Sequence, residues 1–414
     1  MCWRIFILAA SLGVAACARG GAGATRDGGA ALGPTSTSTS TSTSTSTSTS
    51  TPTPTPTPTS TSTGDAGPSF CRVLRGPIEL PLRGPAALSL RGEMLDAVLD
   101  DDGKPRVLSF PVGAVASSFA STRESLDGGS AAGMTVACAV AGDKMFCPDK
   151  GGGVHRATRD GAGDQVVASA RSGSRIAAAI LGRTHSAVSY LASRRSSEGW
   201  VSEAWLAVDD ETPVRVSEDG AGATSVALSA RGPSVLALIV DARAALTAMH
   251  VRVVGYEGHL QVADDAVVFV GGPGERRTAG ALAIPAVGPA WALLPIGKDF
   301  RTFGLAVVKI DDPPRVDEPS FWSLYPNGID PAPVAASTGG RTWVVRVRPQ
   351  SAEPGSVRVL EMGDIDDKGS FAPRDTVSVA GSPTYATLVA DGRGGLWIAW
   401  VDSSGSWLER MACK

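Results

Sequence analysis

The sequence predicts an all-β fold, a β-propeller of six or seven blades, from three observations. A glycine-centred pattern typical of a tight hairpin recurs at intervals of about 50–60 residues, the length of one propeller blade. Apolar and polar residues alternate around these glycines, as they do in strands. The sequence contains no heptads and no long amphipathic helical pattern. A pair of β-sandwiches with chance internal similarity is the alternative.

The repeated pattern is clearest in Ala390–Trp400, which is anchored on Gly394. Related segments are anchored on Gly340, Gly288, Gly232, Gly173 and Gly92, with a weaker seventh on Gly142. The third residue after each anchor is large and apolar: Leu95, Met145, Ile176, Val235, Trp291, Trp343 and Trp397. The interval between Gly142 and Gly173 is short, which leaves the blade number at six or seven, with seven favoured.

A second motif repeats outside these segments. Asp160–Gly163 and Asp219–Gly222 both read Asp-Gly-Ala-Gly, and their interval equals that between Gly173 and Gly232. We therefore expect the two copies to occupy equivalent places in neighbouring blades.

Three tryptophans share one position of the repeat: Trp291, Trp343 and Trp397. Other copies carry an aliphatic residue there, such as Ile176 or Val235. This exchange predicts that the indoles pack between blades. A platform for stacking sugars is the alternative.

The front of the chain predicts export. Residues 1–16 contain one positive charge, Arg4, and an apolar run too short to span a membrane permanently. The run ends in Val14-Ala15-Ala16-Cys17, which resembles the lipobox of bacterial lipoproteins. The resemblance implies cleavage before Cys17, a diacylglyceryl thioether on its sulfur, acylation of the new N-terminus, and anchoring in a lipid bilayer. An ordinary signal peptide with a chance cysteine is the alternative.

The resemblance also bears on location. It implies a bacterial cell envelope, and Ala18 in place of aspartate favours the outer membrane or the cell surface. Residues 17–67 then form a stalk that includes the Thr/Ser/Pro repeat of 35–63. That repeat has no apolar residue with which to offset the entropy of ordering, so we expect it to be disordered. A simple repeat of no selected length is the other interpretation, and its glycosylation stays open. The propeller occupies 68–414.

The cysteines predict two disulfides. Cys17 is assigned to lipidation and Cys2 to the removed signal peptide, which leaves Cys71, Cys138, Cys147 and Cys413. An even set in an exported chain is typical of disulfide pairing. Cys71 and Cys413 stand at the two ends of the propeller, so their pairing would close the ring. Cys138 and Cys147 flank the turn at Gly142 and predict a local bridge. Unpaired buried thiols are the alternative.

The composition and motifs exclude some functions. A net charge of −3 lacks the basic surface that nucleic-acid binding needs. We find no nucleophile elbow, no phosphate-binding loop and no sialidase-type Asp box. We expect a monomer without a cofactor that acts as a binding protein rather than as an enzyme.

Two groups of residues are weak candidates for metal ligands. His250, Glu257 and His259 lie near one another in sequence, but their spacing matches no zinc site, and solvated histidines are the simpler interpretation. Asp364, Asp366 and Asp367 resemble part of a calcium loop but lack the distal bidentate carboxylate. An acidic hairpin turn explains them as well, so no metal is predicted.

The aromatic cluster Phe321, Trp322 and Tyr325 is the weak candidate for a ligand-binding surface. We expect a non-enzymatic binding or scaffold module for protein or glycan. The alternatives are a hydrolase or lyase with acidic residues in the central channel, and a purely structural envelope protein. Carboxylates or histidines at the channel mouth would favour the enzyme, whereas a lining of Ala, Ser and Val would favour binding.

Overall fold

The computed structural model describes residues 71–413 with internal gaps. The gaps are 102–103, 114–137, 161, 172–173, 183, 198, 221, 244–245, 258, 271–274, 278–279, 299–301, 311–319, 323–331, 351–355, 367, 378 and 380. The predicted signal peptide (1–16), the lipidation residue Cys17 and the predicted stalk (17–67) lie outside the described residues.

The described chain forms strands that belong to seven antiparallel sheets, here called blades 1–7 in chain order. The first strand is β1 (Cys71–Leu80), which belongs to the last blade. Blade 1 contains β2 (Ala86–Arg91), β3 (Met94–Asp101) and β4 (Lys104–Pro111). Blade 2 contains β5 (Ala139–Ala141), β6 (Lys144–Pro148), β7 (Gly153–Thr158) and β8 (Gln165–Ser169). Blade 3 contains β9 (Ala177–Leu181), β10 (His185–Ser196), β11 (Gly199–Val208) and β12 (Val214–Arg215).

The remaining blades follow the same order. Blade 4 contains β13 (Ala223–Arg231), β14 (Ser234–Arg243), β15 (Leu246–Tyr256) and β16 (Leu260–Val270). Blade 5 contains β17 (Glu275–Arg277), β18 (Ala281–Ala283), β19 (Ala290–Lys298), β20 (Thr302–Ile310) and β21 (Ser320–Trp322). Blade 6 contains β22 (Val334–Thr338), β23 (Arg341–Pro349), β24 (Arg358–Ile365) and β25 (Phe371–Val377). Blade 7 contains β26 (Tyr385–Ala390), β27 (Gly395–Val401), β28 (Ser406–Cys413) and β1.

The blades are arranged in a closed ring. One strand of each blade contacts its counterpart in the next, in the order β2, β5, β9, β13, β18, β22, β26 and back to β2. These seven are the inner strands, and the later strands of each blade lie progressively farther out, except that β1 is the outermost strand of blade 7. The predicted β-propeller is therefore confirmed, with seven blades.

The N-terminal strand closes the ring. β1 pairs antiparallel with β28, so that Cys71 lies opposite Cys413, with Cα atoms 4.1 Å apart, and the two form a disulfide. A second disulfide joins Cys138 to Cys147 across the β5–β6 hairpin. Both predicted pairings are present, and they indicate an extracytoplasmic protein. None of the described residues forms a helix with the length and apolarity needed to cross a membrane.

The three repeat tryptophans are buried between blades, as predicted. Trp397 of blade 7 packs with apolar residues of β2, β3 and β4 in blade 1. Trp343 of blade 6 packs with β26 and β27 of blade 7, and Trp291 of blade 5 packs with β23 and β25 of blade 6. Large side chains at this position therefore fill the wedge-shaped space between neighbouring sheets.

Two details of the predicted repeat are wrong. The first hairpin of blade 3 turns at Gly182, which has a positive φ of 67°, whereas Gly173 precedes β9 and lies outside the described residues. The two Asp-Gly-Ala-Gly motifs are not equivalent: the first lies between β7 and β8 inside blade 2, and the second connects blade 3 to blade 4. The interval between the two motifs equals that between Gly173 and Gly232 only by coincidence, because Gly173 is not the turn glycine of blade 3.

Candidate functional site

The central channel is bordered by small and apolar side chains. The described inner strands consist of Ala, Val, Leu, Ile, Ser and Thr, together with Arg91, Arg231 and Tyr385. None of these described strands carries Asp, Glu, His or Cys. Alkyl and small hydroxyl side chains make up most of these strands, and this lining is the one expected of a binding protein.

The connectivity of the blades defines two faces of the ring. Every inner strand begins on the face that we call upper, because antiparallel strands alternate in direction from the inside to the outside of each blade. The turns between second and third strands also lie on the upper face. The lower face carries the first and third turns, which include Gly92, Gly142 and Gly182.

The upper mouth of the channel is bridged by an arginine and a tyrosine. Arg175 precedes β9 in blade 3 and Tyr385 begins β26 in blade 7, so the two side chains meet from non-adjacent blades. The Arg175 Cζ atom lies 5.7 Å from the centre of the Tyr385 ring, a cation–π contact. Among the described residues, no carboxylate pairs with Arg175. The mouth therefore presents a cation supported by an aromatic ring.

The Tyr385 hydroxyl is held inside the mouth. Burial raises its pKa above the ordinary value, and this effect outweighs Arg175 and a hydrogen bond with the Thr387 side chain, which lower it. The hydroxyl is therefore neutral at physiological pH and available as a donor or an acceptor of hydrogen bonds.

A long hairpin extends over the upper face. β9 pairs with β10 only as far as Ser189, but β10 continues to Ser196 and returns as β11 from Gly199. At about 3.4 Å per residue, the end of β10 at Ser196 lies roughly 24 Å beyond Ser189, the last residue of β10 that pairs with the inner strand β9. Near the tip, Trp200 is 76% exposed and lies directly opposite Arg195. It is the one aromatic side chain among the exposed large hydrophobic residues of the described chain.

The base of this hairpin is fixed by a network of charges. The buried Glu203 carboxylate accepts hydrogen bonds from Arg194 at 3.1 Å and from Arg215 at 3.2 Å. Both arginines also pair with Asp219. The network ties β10, β11 and β12 together and gives the projecting hairpin a rigid base.

The lower face gathers ionisable side chains between blades 3 and 4. Asp209 accepts a hydrogen bond from His185 Nδ1 at 2.7 Å, and the ring centres of His185 and Tyr256 are 4.3 Å apart. The Tyr256 hydroxyl donates to Glu211, which raises the pKa of that hydroxyl. Asp209 has a positive φ of 43° and also accepts a hydrogen bond from the backbone N–H of Ser186. It therefore connects the turn after β11 to the turn between β9 and β10.

A further histidine lies between two carboxylates in blade 2. His155 Nε2 is 3.1 Å from Asp149 and its Nδ1 is 3.0 Å from Asp164. Burial lowers the pKa of His155, but the hydrogen bonds to both carboxylates outweigh it and leave the pKa above its ordinary value. Both ring nitrogens are occupied, so this residue joins β7 to its flanking turns.

Two of the three aromatic residues predicted from the sequence lie on an outer strand. Phe321 and Trp322 lie on β21, which pairs with β20 at the outer side of blade 5. Tyr325 lies outside the described residues. Their role in binding stays a prediction.

Of the acidic residues predicted from the sequence, Asp364 lies on β24 and Asp366 lies in the turn between β24 and β25. Asp364 is buried and pairs with Arg341 at 3.0 Å and with Arg374 at 2.6 Å. Asp366 accepts the backbone N–H groups of Lys368 and Ser370, and Asp367 lies outside the described residues. Arginine side chains therefore pair with the Asp364 carboxylate, and backbone N–H groups of the turn bind that of Asp366.

The histidine group also separates in space. His250 lies on β15, whereas Glu257 and His259 lie in the turn that follows it and are exposed. In the part of the chain that the structure describes, no three His, Cys, Asp or Glu side chains form a group suited to a metal.

No protein-family model matches this chain, and no curated protein sequence matches it. Among solved structures, it is similar to a Dyadobacter fermentans protein of unknown function, with 8% identity, a TM-score of 0.45, and coverage of 83% of this chain and 100% of that one. It is also similar to Aleuria aurantia lectin (14% identity, TM-score 0.41, 72% and 96% coverage). A third similar structure is Trypanosoma rangeli sialidase (11% identity, TM-score 0.39, 84% and 59% coverage). Similarities this low give no argument for a ligand or an activity.

Proposed function

We propose that this chain is an exported bacterial lipoprotein, tethered to a membrane through acylated Cys17, whose propeller binds a protein or a glycan without catalysing a reaction. The observation that carries the binding function is the exposure of Trp200 on the hairpin over the upper face. An exposed indole offers a large, rigid apolar surface at low entropic cost, and tryptophan is enriched where partners bind.

The channel supports the same proposal. Its described inner strands supply alkyl and hydroxyl groups, while Arg175 and Tyr385 at the upper mouth supply a cation and an aromatic ring. These groups can contact a ligand through hydrogen bonds, charge and aromatic packing. The alternative hydrolase or lyase would need carboxylates or imidazoles near its substrate. Such groups gather on the lower face around His185 and Asp209, so an enzymatic role is best sought there.

The tether is supported by the sequence before the propeller. The motif ending in Cys17 resembles a lipobox, and the two disulfides require the oxidising environment into which exported proteins pass. Two or more acyl chains would hold the protein stably in a bilayer, whereas a single chain binds only marginally. We propose that the protein lies at the outer membrane or the cell surface, with residues 17–67 as the spacer between the membrane and the propeller. A purely structural role in the envelope, without a ligand, is the remaining alternative.

We expect Cys17→Ala to abolish acylation. In a bacterial host that processes lipoproteins, the wild-type chain should incorporate an alkyne-tagged palmitate into its N-terminal peptide, and Cys17→Ala should incorporate none. Cys2→Ala is the matched control, because Cys2 lies in the segment that is removed. Label that persists in Cys17→Ala, or that is lost in Cys2→Ala, would contradict the lipoprotein assignment.

The binding function is tested with the full-length protein in detergent, immobilised and exposed to envelope proteins and to a panel of polysaccharides. We expect selective retention of one component and its loss in Trp200→Ala. Val287→Ala is the control, because Val287 is 91% exposed in the first turn of blade 5, on the lower face. Retention that is equal in the two variants, or release of a chemically altered ligand, would count against a non-enzymatic site on the upper face.

A further inference from the structure

We infer that one side of the β10–β11 hairpin binds an acidic glycan, a polysaccharide whose sugar rings carry carboxylates. This side, called the Trp200 face, consists of Ser193, Arg195, Trp200 and Ser202. The inference rests on the proposed binding function and narrows the class of ligand. It is argued from the pairing of the two strands, from the charges around the hairpin, and from the composition of the face.

Strand pairing places these four residues on one side. Arg195 pairs directly with Trp200, and Ser193 pairs with Ser202. Directly paired side chains point to the same side of a sheet, with Cβ atoms about 5 Å apart, and neighbours along a strand point to opposite sides. Arg195 and Trp200 therefore leave the hairpin side by side, on the same side of the sheet.

The other side of the hairpin is already occupied. Arg194 follows Ser193 and points away from the Trp200 face, where it binds Glu203 and Asp219. Arg195 and Trp200 are both exposed, and no described carboxylate pairs with Arg195. Two adjacent arginines therefore differ in role, since the charge of Arg194 is neutralised within the protein and that of Arg195 faces solvent.

The composition of the face favours a glycan over a protein. Trp200 is its one large apolar residue, whereas the centre of a protein interface usually combines several. A sugar ring offers a flat C–H surface to an indole and hydroxyls to the exposed Ser193. A carboxylate on the same sugar can accept two hydrogen bonds from the Arg195 guanidinium, because Arg195 is the cross-strand partner of Trp200.

The test uses full-length protein in detergent and two soluble probes, fluorescent polygalacturonate and uncharged dextran, read by fluorescence polarisation. We expect polygalacturonate to bind and dextran to bind at least tenfold more weakly. Arg195→Gln should weaken polygalacturonate binding about 10- to 100-fold, the range for a lost charge-assisted contact. Trp200→Ala should weaken it by a similar factor, and rising salt should reduce wild-type binding.

Arg72→Gln is the matched control, because it removes the same charge from an exposed arginine on β1, the outermost strand of blade 7. We expect its affinity for polygalacturonate to stay within twofold of wild type, after thermal unfolding shows that all variants are folded. Unchanged binding in Arg195→Gln, or equal binding of dextran, would overturn the acidic ligand while leaving a glycan-binding function intact. If the immobilised protein retains an envelope protein but no polysaccharide, the glycan ligand is wrong and the binding function stands. If it retains neither, the proposed binding function is wrong as well.

Discussion

Replacing Cys71 and Cys413 together by serine is expected to reduce the free energy of unfolding by roughly 5–6 kcal/mol. The bridge joins residues separated by 342 positions, so its loss restores the largest possible loop entropy to the unfolded chain. Replacing Cys138 and Cys147 should cost only about 2.5 kcal/mol, because that bridge spans 9 positions. Denaturant unfolding under non-reducing conditions measures both losses.

The comparison of the two double variants is the control for general effects of removing cysteine. Both disulfides are buried and each joins neighbouring strands or their flank, so the substitutions are chemically matched. Equal losses of stability, or a greater loss from Cys138 and Cys147, would show that ring closure does not depend on the long bridge. Single variants are less informative because they leave a reactive thiol.

The second large effect is expected at Glu409. This residue is 3% exposed on β28, opposite Ile398 and beside a bulge in β1 that contains Gly76 and Pro77. Trp407 and Met411, which lie on the same side of β28 as Glu409, belong to the apolar cluster between blades 6 and 7. Burial therefore raises the pKa of Glu409 to about 7.

A raised carboxyl pKa makes the propeller less stable as pH rises. Between the unfolded pKa of about 4.5 and the folded pKa of about 7, the folded chain keeps a proton that the unfolded chain has released, so stability falls across this range. Above pH 7 the full cost applies, which is about 3 kcal/mol. Glu409→Gln cannot ionise and should be more stable than wild type by up to about this amount at pH 8, but nearly equal to it at pH 4.5.

Denaturant unfolding of wild type and Glu409→Gln at several pH values measures this difference. Glu79→Gln is the matched control, since Glu79 is exposed on the neighbouring strand β1. Its stability should follow wild type at every pH. A difference between wild type and Glu409→Gln that does not change from pH 4.5 to pH 8 would contradict an uncharged, buried carboxyl.

The architecture could be predicted from the sequence because its strongest signals are local. A glycine turn followed by a large apolar residue recurs in the inner hairpins of six blades, as at Trp343 and Trp397. The cysteines at both ends of the domain add one long-range constraint that only a closed ring satisfies easily. Together these features determine the fold, the closure and the core between blades.

Blade 3 shows where this reasoning fails. Three residues after its turn glycine, Gly182, stands His185, which bonds to Asp209 on the lower face and does not enter the core. Gly173 fits the repeated pattern better than Gly182, because the apolar Ile176 stands three residues after it. A polar contact between two turns had replaced the apolar contact that marks the other blades.

The upper-face site could not be predicted because it depends on distances through the ring. Arg175 and Tyr385 meet only after the blades that separate them have assembled. Trp200 stands outside the repeat, and its exposure follows from the length by which β10 and β11 extend past β9. Neither the tryptophans of the repeat nor the aromatic cluster around Trp322 indicates that Trp200 is exposed.

The position of β1 as the outer strand of blade 7 also sets the order in which the molecule can be completed. In the export that we propose, the N-terminal strand emerges first, whereas its partner β28 belongs to the last stretch to be delivered. The apolar side of blade 1 that covers Trp397 must likewise wait for the same late arrival. Nearly the whole polypeptide must therefore be translocated before β1 can pair with β28 and close the ring. A chain interrupted before β28 would leave the edge strand of blade 7 unpaired and open to proteases in the compartment that receives it.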